Sequence, residues 1–128
     1  MAGIYAQQGQ VQEALDLYRQ SLDLKERIGD VQGKAATLHC MAIIYAQQGQ
    51  VQEALDLYRQ SLDLHERIGD VQGKAASLVM MAQLLTVQGE VEIACEYMQE
   101  AIAIFDHLKS PNAAIAREIL SDIINSQT

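Results

Sequence analysis

MAGIYAQQGQVQEALDLYRQSLDLKERIGDVQGKAA, residues 1–36, returns as MAIIYAQQGQVQEALDLYRQSLDLHERIGDVQGKAA, residues 41–76, with changes only at Gly3/Ile43 and Lys25/His65. So faithful a period marks stacked repeats, in which each unit is one supersecondary element and function is read from the surface that stacking creates. A third, diverged copy follows, with Ala82, Gly89, Val91, Ala94 and Ile102 standing forty residues after Ala42, Gly49, Val51, Ala54 and Leu62.

Within the middle copy, Asp30 is a helix N-cap, and the segment to Gln48 sets Leu38, Met41, Ala42 and Tyr45 at helical spacing. Gly49 ends that helix by allowing a left-handed residue just past its C-terminus. From Val51 to Ile68 a second helix lines up Ala54, Leu55, Tyr58, Leu62 and Leu64, and Gly69-Asp70 supplies the next stop and start. Each copy therefore reads as a helix–turn–helix hairpin.

The charges divide unevenly between the two helix types. The first, Val31 to Gln48, carries only Lys34, whereas Val11 to Ile28 carries Glu13, Asp16, Arg19, Asp23, Lys25, Glu26 and Arg27. A helix that is neutral nearly all round needs cover on several sides, while a charged one keeps a solvated back. Asp16/Arg19 and Asp23/Arg27, repeated as Asp56/Arg59 and Asp63/Arg67, have the spacing of surface pairs. Such pairs are worth only about 0.2–0.5 kcal/mol each, so they serve solubility more than stability.

With 128 residues, 49% of them hydrophobic, and a single Pro, the chain can bury a sizeable helical core. Its formal charge of −8 repels phosphate backbones and argues against nucleic acid as a partner. The longest uncharged stretch, Ala35 to Gln52, is interrupted by Gln47, Gln48, Gly49 and Gln50, which suits neither a signal peptide nor a membrane span. Cys40 and Cys95 form no CxxC and suit reduced, buried thiols, hence an intracellular, cytoplasmic setting.

Leu38, Met41, Ala42, Tyr45, Gly49, Ala54, Tyr58 and Leu62 fall at the spacing of the tetratricopeptide signature, and the chain resembles that family along its whole length. In the third copy the matching residues are Leu78, Met81, Ala82, Leu85, Gly89, Ala94, Met98 and Ile102, so both Tyr positions have changed. Other departures are Ser61, where a second small residue is usually Ala, and the lack of a helix-ending Pro near Glu66. The forty-residue period exceeds the usual ~34 residues of the family by roughly one and a half helical turns. In this it resembles the forty-residue repeats of spindle-orientation adaptors and of bacterial multi-repeat proteins, which carry Gly-Asp near each junction.

The resemblance implies an all-α fold, a right-handed α-solenoid or superhelix of antiparallel helix–turn–helix repeats. It also implies a protein-interaction scaffold that takes a peptide or partner helix in a concave groove lined by the first helix of each repeat. Carried onto this chain, the groove residues are His39, Ile43, Ala46 and Gln47, then Val79, Gln83, Thr86 and Val87, with Gly3, Ala6 and Gln7 from the first copy. The neutrality of these helices predicts a mildly apolar groove for a hydrophobic or amphipathic segment. Simple packing between repeats makes the same demand, and most of these residues are read first as packing residues. Some relatives grip acidic C-termini with inward Lys, Arg and Asn; here those positions hold Gly3, His39, Ile43 and Val79, so no such clamp is expected.

Nothing in the chain points to catalysis or to a cofactor or metal. His39 and Cys40 are adjacent on a helix and so point about 100° apart, and no second ligand pair follows at metal spacing. His65 stands where the first copy has Lys25, which reads as an exposed, exchangeable position. His107 has no carboxylate or Cys partner in sequence, and Glu90/Glu92 and Glu96/Glu100 read as a solvated back. No P-loop, GxSxG or HExxH occurs. Gly33 and Gly73, three residues after their cap Asp, are read as sites of close helix packing.

The expected organisation is a single repeat domain over 1–128, with copies at 1–30, truncated at its start, 31–70 and 71–110, and a capping helix over 112–126. The first copy holds only eight residues ahead of Gly9 where the second has eighteen ahead of Gly49. That predicts an uncovered apolar edge around Ala2, Ile4, Tyr5, Leu15 and Tyr18. It raises the alternative of a fragment of a longer array that forms a homo-oligomer through its incomplete N-terminal repeat. Domain swapping through a straightened Gln8-Gly9-Gln10 or Gln48-Gly49-Gln50 is one version, which glycine opposes by favouring a break.

Overall fold

A computed structural model describes the backbone of residues 2–126 and the side chains of residues 8–126. Six helices follow one another, α1 (Ala2–Ile28), α2 (Val31–Gln47), α3 (Val51–Ile68), α4 (Val71–Val87), α5 (Val91–His107) and α6 (Asn112–Asn125), with no strand among the described residues. The chain divides into two compact units, Met1–Leu64 and His65–Thr128.

Each helix from α1 to α5 ends in the same backbone device. Gly29, Gly49, Gly69 and Gly89 take φ values of 73°, 78°, 73° and 85°, the left-handed region open to glycine. After α2, Gly49 N–H donates to Ala46 O at 3.0 Å and Gln50 N–H to Tyr45 O at 2.9 Å, which satisfies two carbonyls the helix end would leave bare. After α5 the same pair of bonds runs from Lys109 to Asp106 and from Ser110 to Phe105, with Lys109 itself at φ 55°. The Asp30 and Asp70 carboxylates then accept from Gly33 N–H at 2.8 Å and Gly73 N–H at 2.9 Å, starting α2 and α4.

One expected break is missing. Residues 5–24 and 45–64 are identical, and the second stretch turns at Gly49, yet α1 runs unbroken through Gly9. A turn there must be held by packing of the folded-back helix. In the second copy α2 provides it with Ala35, Leu38, Met41 and Ala42 all buried, whereas the eight residues before Gly9 contain only the tail of such a face. Continuing the hydrogen-bond ladder then costs less than breaking it.

In the first unit α1 packs on α2, and the buried residues include Leu15, Leu38, Ala42, Ala54, Leu55 and Tyr58. Ala35, Leu38 and Leu64 form a cluster with Leu22, Val31 and Leu57 against it. Ser61 is fully buried and donates its hydroxyl to the Ala35 carbonyl at 3.0 Å, which gives the Ser a partner where the family pattern has Ala. In the second unit α5 packs on both α4 and α6, burying Leu78, Met81, Leu85, Met98, Phe105, Ala116 and Ile123.

His65 is not the exposed position its exchange with Lys25 suggested, for it is only 8% exposed. Its ring lies over Gly73, where a Cβ would come within 2.4 Å of Nδ1. Asp70 Oδ2 is 3.2 Å from the same nitrogen, without the alignment of a hydrogen bond. In the first copy the Lys25 stem crosses Gly33 in the same way, 2.9 Å from where a Cβ would stand. The two glycines make room for the preceding helix, as their place after the cap Asp suggested.

Candidate functional site: the first-type helices and two clefts

The groove residues read from sequence lie on α2 and α4, the two helices with fewest charges. On α2, His39, Ile43 and Ala46 are half-buried and Gln47 is exposed; on α4, Val79 and Thr86 are half-buried and Gln83 and Val87 are exposed. The lone lysine of each helix is turned to its flank. Lys34 Nζ meets Glu26 at 2.7 Å, and Lys74 meets Glu66 at 3.4 Å and Glu100 at 3.2 Å. The hydrogen bond that Lys74 donates to Glu100, ahead of the Glu66 contribution, holds its ammonium above its ordinary pKa.

His39 is partly committed to packing. Its ring meets Tyr58 edge-on, with centroids 5.2 Å apart at 72°. The Tyr58 hydroxyl is buried with no hydrogen-bond partner, and that burial, helped by neighbouring Cys40, pushes its pKa up to about 12. Cys40 and Cys95 are both free thiols, half-buried. Among the described residues no group of three His, Cys, Asp or Glu side chains is arranged to hold a metal ion.

Two clefts open beside these helices. In the second unit Gln83 and Thr86 of α4 face Ile119, Asp122, Ile123 and Ser126 across a volume of about 280 Å³. The Thr86 hydroxyl is already spent on the Ala82 carbonyl at 2.8 Å, which leaves the Gln83 amide and Asp122 as the polar groups of its walls beside Ser126. Val79 and Val87 do not line this cleft, and the α6 residues that do were read from sequence only as a cap.

In the first unit a cleft of about 400 Å³ is walled by Gln8, Val11, Gln12, Leu15 and Arg19 of α1, with Tyr45, Gln48 and Gln50 opposite. Arg19 closes one end, donating to the Tyr45 hydroxyl at 3.0 Å and pairing with Asp16 at 3.1 Å. The sequence reading missed this cleft because it placed a turn at Gly9. The expected apolar edge also needs correcting. Leu15 is buried and Tyr18 half-buried, while Ala2, Ile4 and Tyr5 lie outside the described side chains. Among the described side chains of α1 the exposed large apolar residues are Leu17, Leu24 and Ile28, at 65%, 58% and 67%.

The tetratricopeptide repeat profile matches residues 1–67 and again residues 33–106, and the chain belongs to that family. No match was found among curated protein sequences. Among solved structures, a Podosopora anserina protein described as a putative kinesin light chain with nearly identical TPR-like repeats is 26% identical, with a TM-score of 0.74 over 95% of this chain and 61% of its own. A single-substitution variant of that protein superposes equally well. BtubC (BKLC) from P. vanneervenii has a TM-score of 0.81 at 18% identity, covering 98% of this chain and 53% of its own. The chain thus spans 53% to 61% of the length of these solved proteins, and shares with them an all-α helical-repeat fold.

Proposed function

We propose that the chain is a protein–protein interaction module in which the near-neutral first-type helices, α2 in the first unit and α4 in the second, each offer a face to an amphipathic peptide or partner helix. Protein interaction is the general role of tetratricopeptide repeats. The observation that carries the finer reading is the pairing of near-neutral helices with half-exposed side chains, Ile43 and Ala46 on α2, Val79 and Thr86 on α4. A helix offering mild apolarity and amides in place of charge suits the apolar face of a peptide. The test is calorimetry with peptides selected against the wild-type chain. Replacing Ile43 and Val79 by Asp should weaken them at least tenfold with the helical spectrum intact, and unchanged affinity sinks the reading.

A second reading, self-association, is favoured by α1. Leu24 is 58% exposed, whereas Leu64, its counterpart in an identical stretch, is 8% exposed. Concentration-dependent light scattering tests it, and a clean monomer throughout removes it.

A further inference from the structure

We infer that two copies of this chain exchange their N-terminal segments, each laying residues 2–8 antiparallel along Val11–Tyr18 of the other across a two-fold axis near Gly9. The inference rests on the self-association reading and names its mechanism.

The chain holds the same twenty residues in two conformations. At 45–64 they form a hairpin, with Gly49 left-handed; at 5–24 they form one continuous helix. The hairpin states where the segment before the glycine belongs, folded back antiparallel on the helix after it. Straightening α1 carries residues 2–8 away from that place, and the place stands open. Ala54 and Tyr58 are fully buried in the hairpin, but Ala14 and Tyr18 are half-exposed, and the cleft lined by Val11, Leu15 and Tyr45 lies beside them.

The occupant follows from identity. Residues 2–8 differ from 42–48 only at Gly3/Ile43, so a second copy offers the segment the hairpin already accepts. Residues 2–8 span roughly 10 Å as a helix, enough to reach from Val11 toward Tyr18. Because the hairpin is antiparallel, the exchange is reciprocal, and it closes as a dimer without leaving an end free to polymerise.

Two substitutions at the hinge push in opposite directions. Val11→Pro removes an N–H the straight helix needs, yet suits the first position of a helix that starts after a turn. Gly9→Ala suits the straight helix and opposes the left-handed turn. Light scattering over a concentration series, with circular dichroism on each variant, should give a wild-type dimer, with dimerisation at least tenfold weaker for Val11→Pro and undiminished for Gly9→Ala, since α1 is already straight in the single chain. Should Val11→Pro fail to fold, Ala14→Glu, which charges the half-exposed receiving face, decides in its place by the same tenfold loss. A monomeric wild type overturns both the exchange and self-association. A dimer indifferent to Val11→Pro and Ala14→Glu, or dissolved instead by Ile115→Glu with Ile124→Glu on α6, overturns the exchange alone.

Discussion

The Lys25 ammonium donates to the Thr37 hydroxyl at 2.9 Å, and forty residues later both members of the pair have changed, to His65 and Ser77. The Thr37 hydroxyl in turn donates to the Gly33 carbonyl at 2.9 Å, whereas Ser77 Oγ is buried with no hydrogen-bond partner. Equivalent truncations should therefore differ. Thr37→Ala is expected to cost about 1–2 kcal/mol by leaving Lys25 half-buried without its acceptor, and Ser77→Ala about zero. Urea unfolding of the two variants measures the contrast.

Lys109 is the one non-glycine residue held at positive φ among the described residues, in a stop otherwise made by glycine. Lys109→Gly should stabilise the chain by about 1 kcal/mol, the approximate cost of a Cβ in the left-handed region. Gly49→Ala should cost about as much. Paired thermal melts would show the opposite shifts.

Gly73→Ala sets helix propensity against space. Alanine is the better helix former by about 1 kcal/mol, but its methyl would lie 2.4 Å from His65 Nδ1 and 2.6 Å from the capping Asp70 carboxylate. Displacing the cap and the buried ring should outweigh the propensity gain, for a net loss of about 1–2 kcal/mol in denaturant unfolding.

Tyr58 makes stability depend on alkaline pH. Its folded pKa of about 12 lies above the ordinary value of 10.0, so the neutral phenol is what the fold holds. That contribution is complete below pH 10 and is lost as pH rises toward 12, about 2–3 kcal/mol in all. Tyr58→Phe removes a hydroxyl without a partner and should be neutral or stabilising at pH 7 while abolishing this alkaline loss. Denaturant midpoints across the alkaline range check both.

The sequence reading reached most of the fold because its signals are local. A glycine at four of the five junctions, an aspartate before α2 and α4 and apolar residues at helical spacing all act within a few residues. Three features lay beyond that reach for three reasons. Gly9 and Gly49 have identical neighbours on both sides, so only tertiary packing distinguishes a straight helix from a turn. His65 looked exchangeable because Lys25 also fits, its stem crossing Gly33 as the ring crosses Gly73. Lys109 gives no residue-type signal for a left-handed stop. Of the candidate site, the near-neutrality of α2 and α4 is legible in the sequence, while the two clefts depend on α1 staying straight and on where α6 docks.

The stop after each helix from α1 to α5 is made by backbone bonds closing within six residues, as from Ser110 back to Phe105 or from Gln50 back to Tyr45. Such a junction is finished before the next helix begins and borrows no hydrogen bond from a distant repeat. Deleting or inserting one whole forty-residue period therefore rejoins like to like and leaves no backbone group bare at the seam. The number of periods is thus set independently of the turn that joins them.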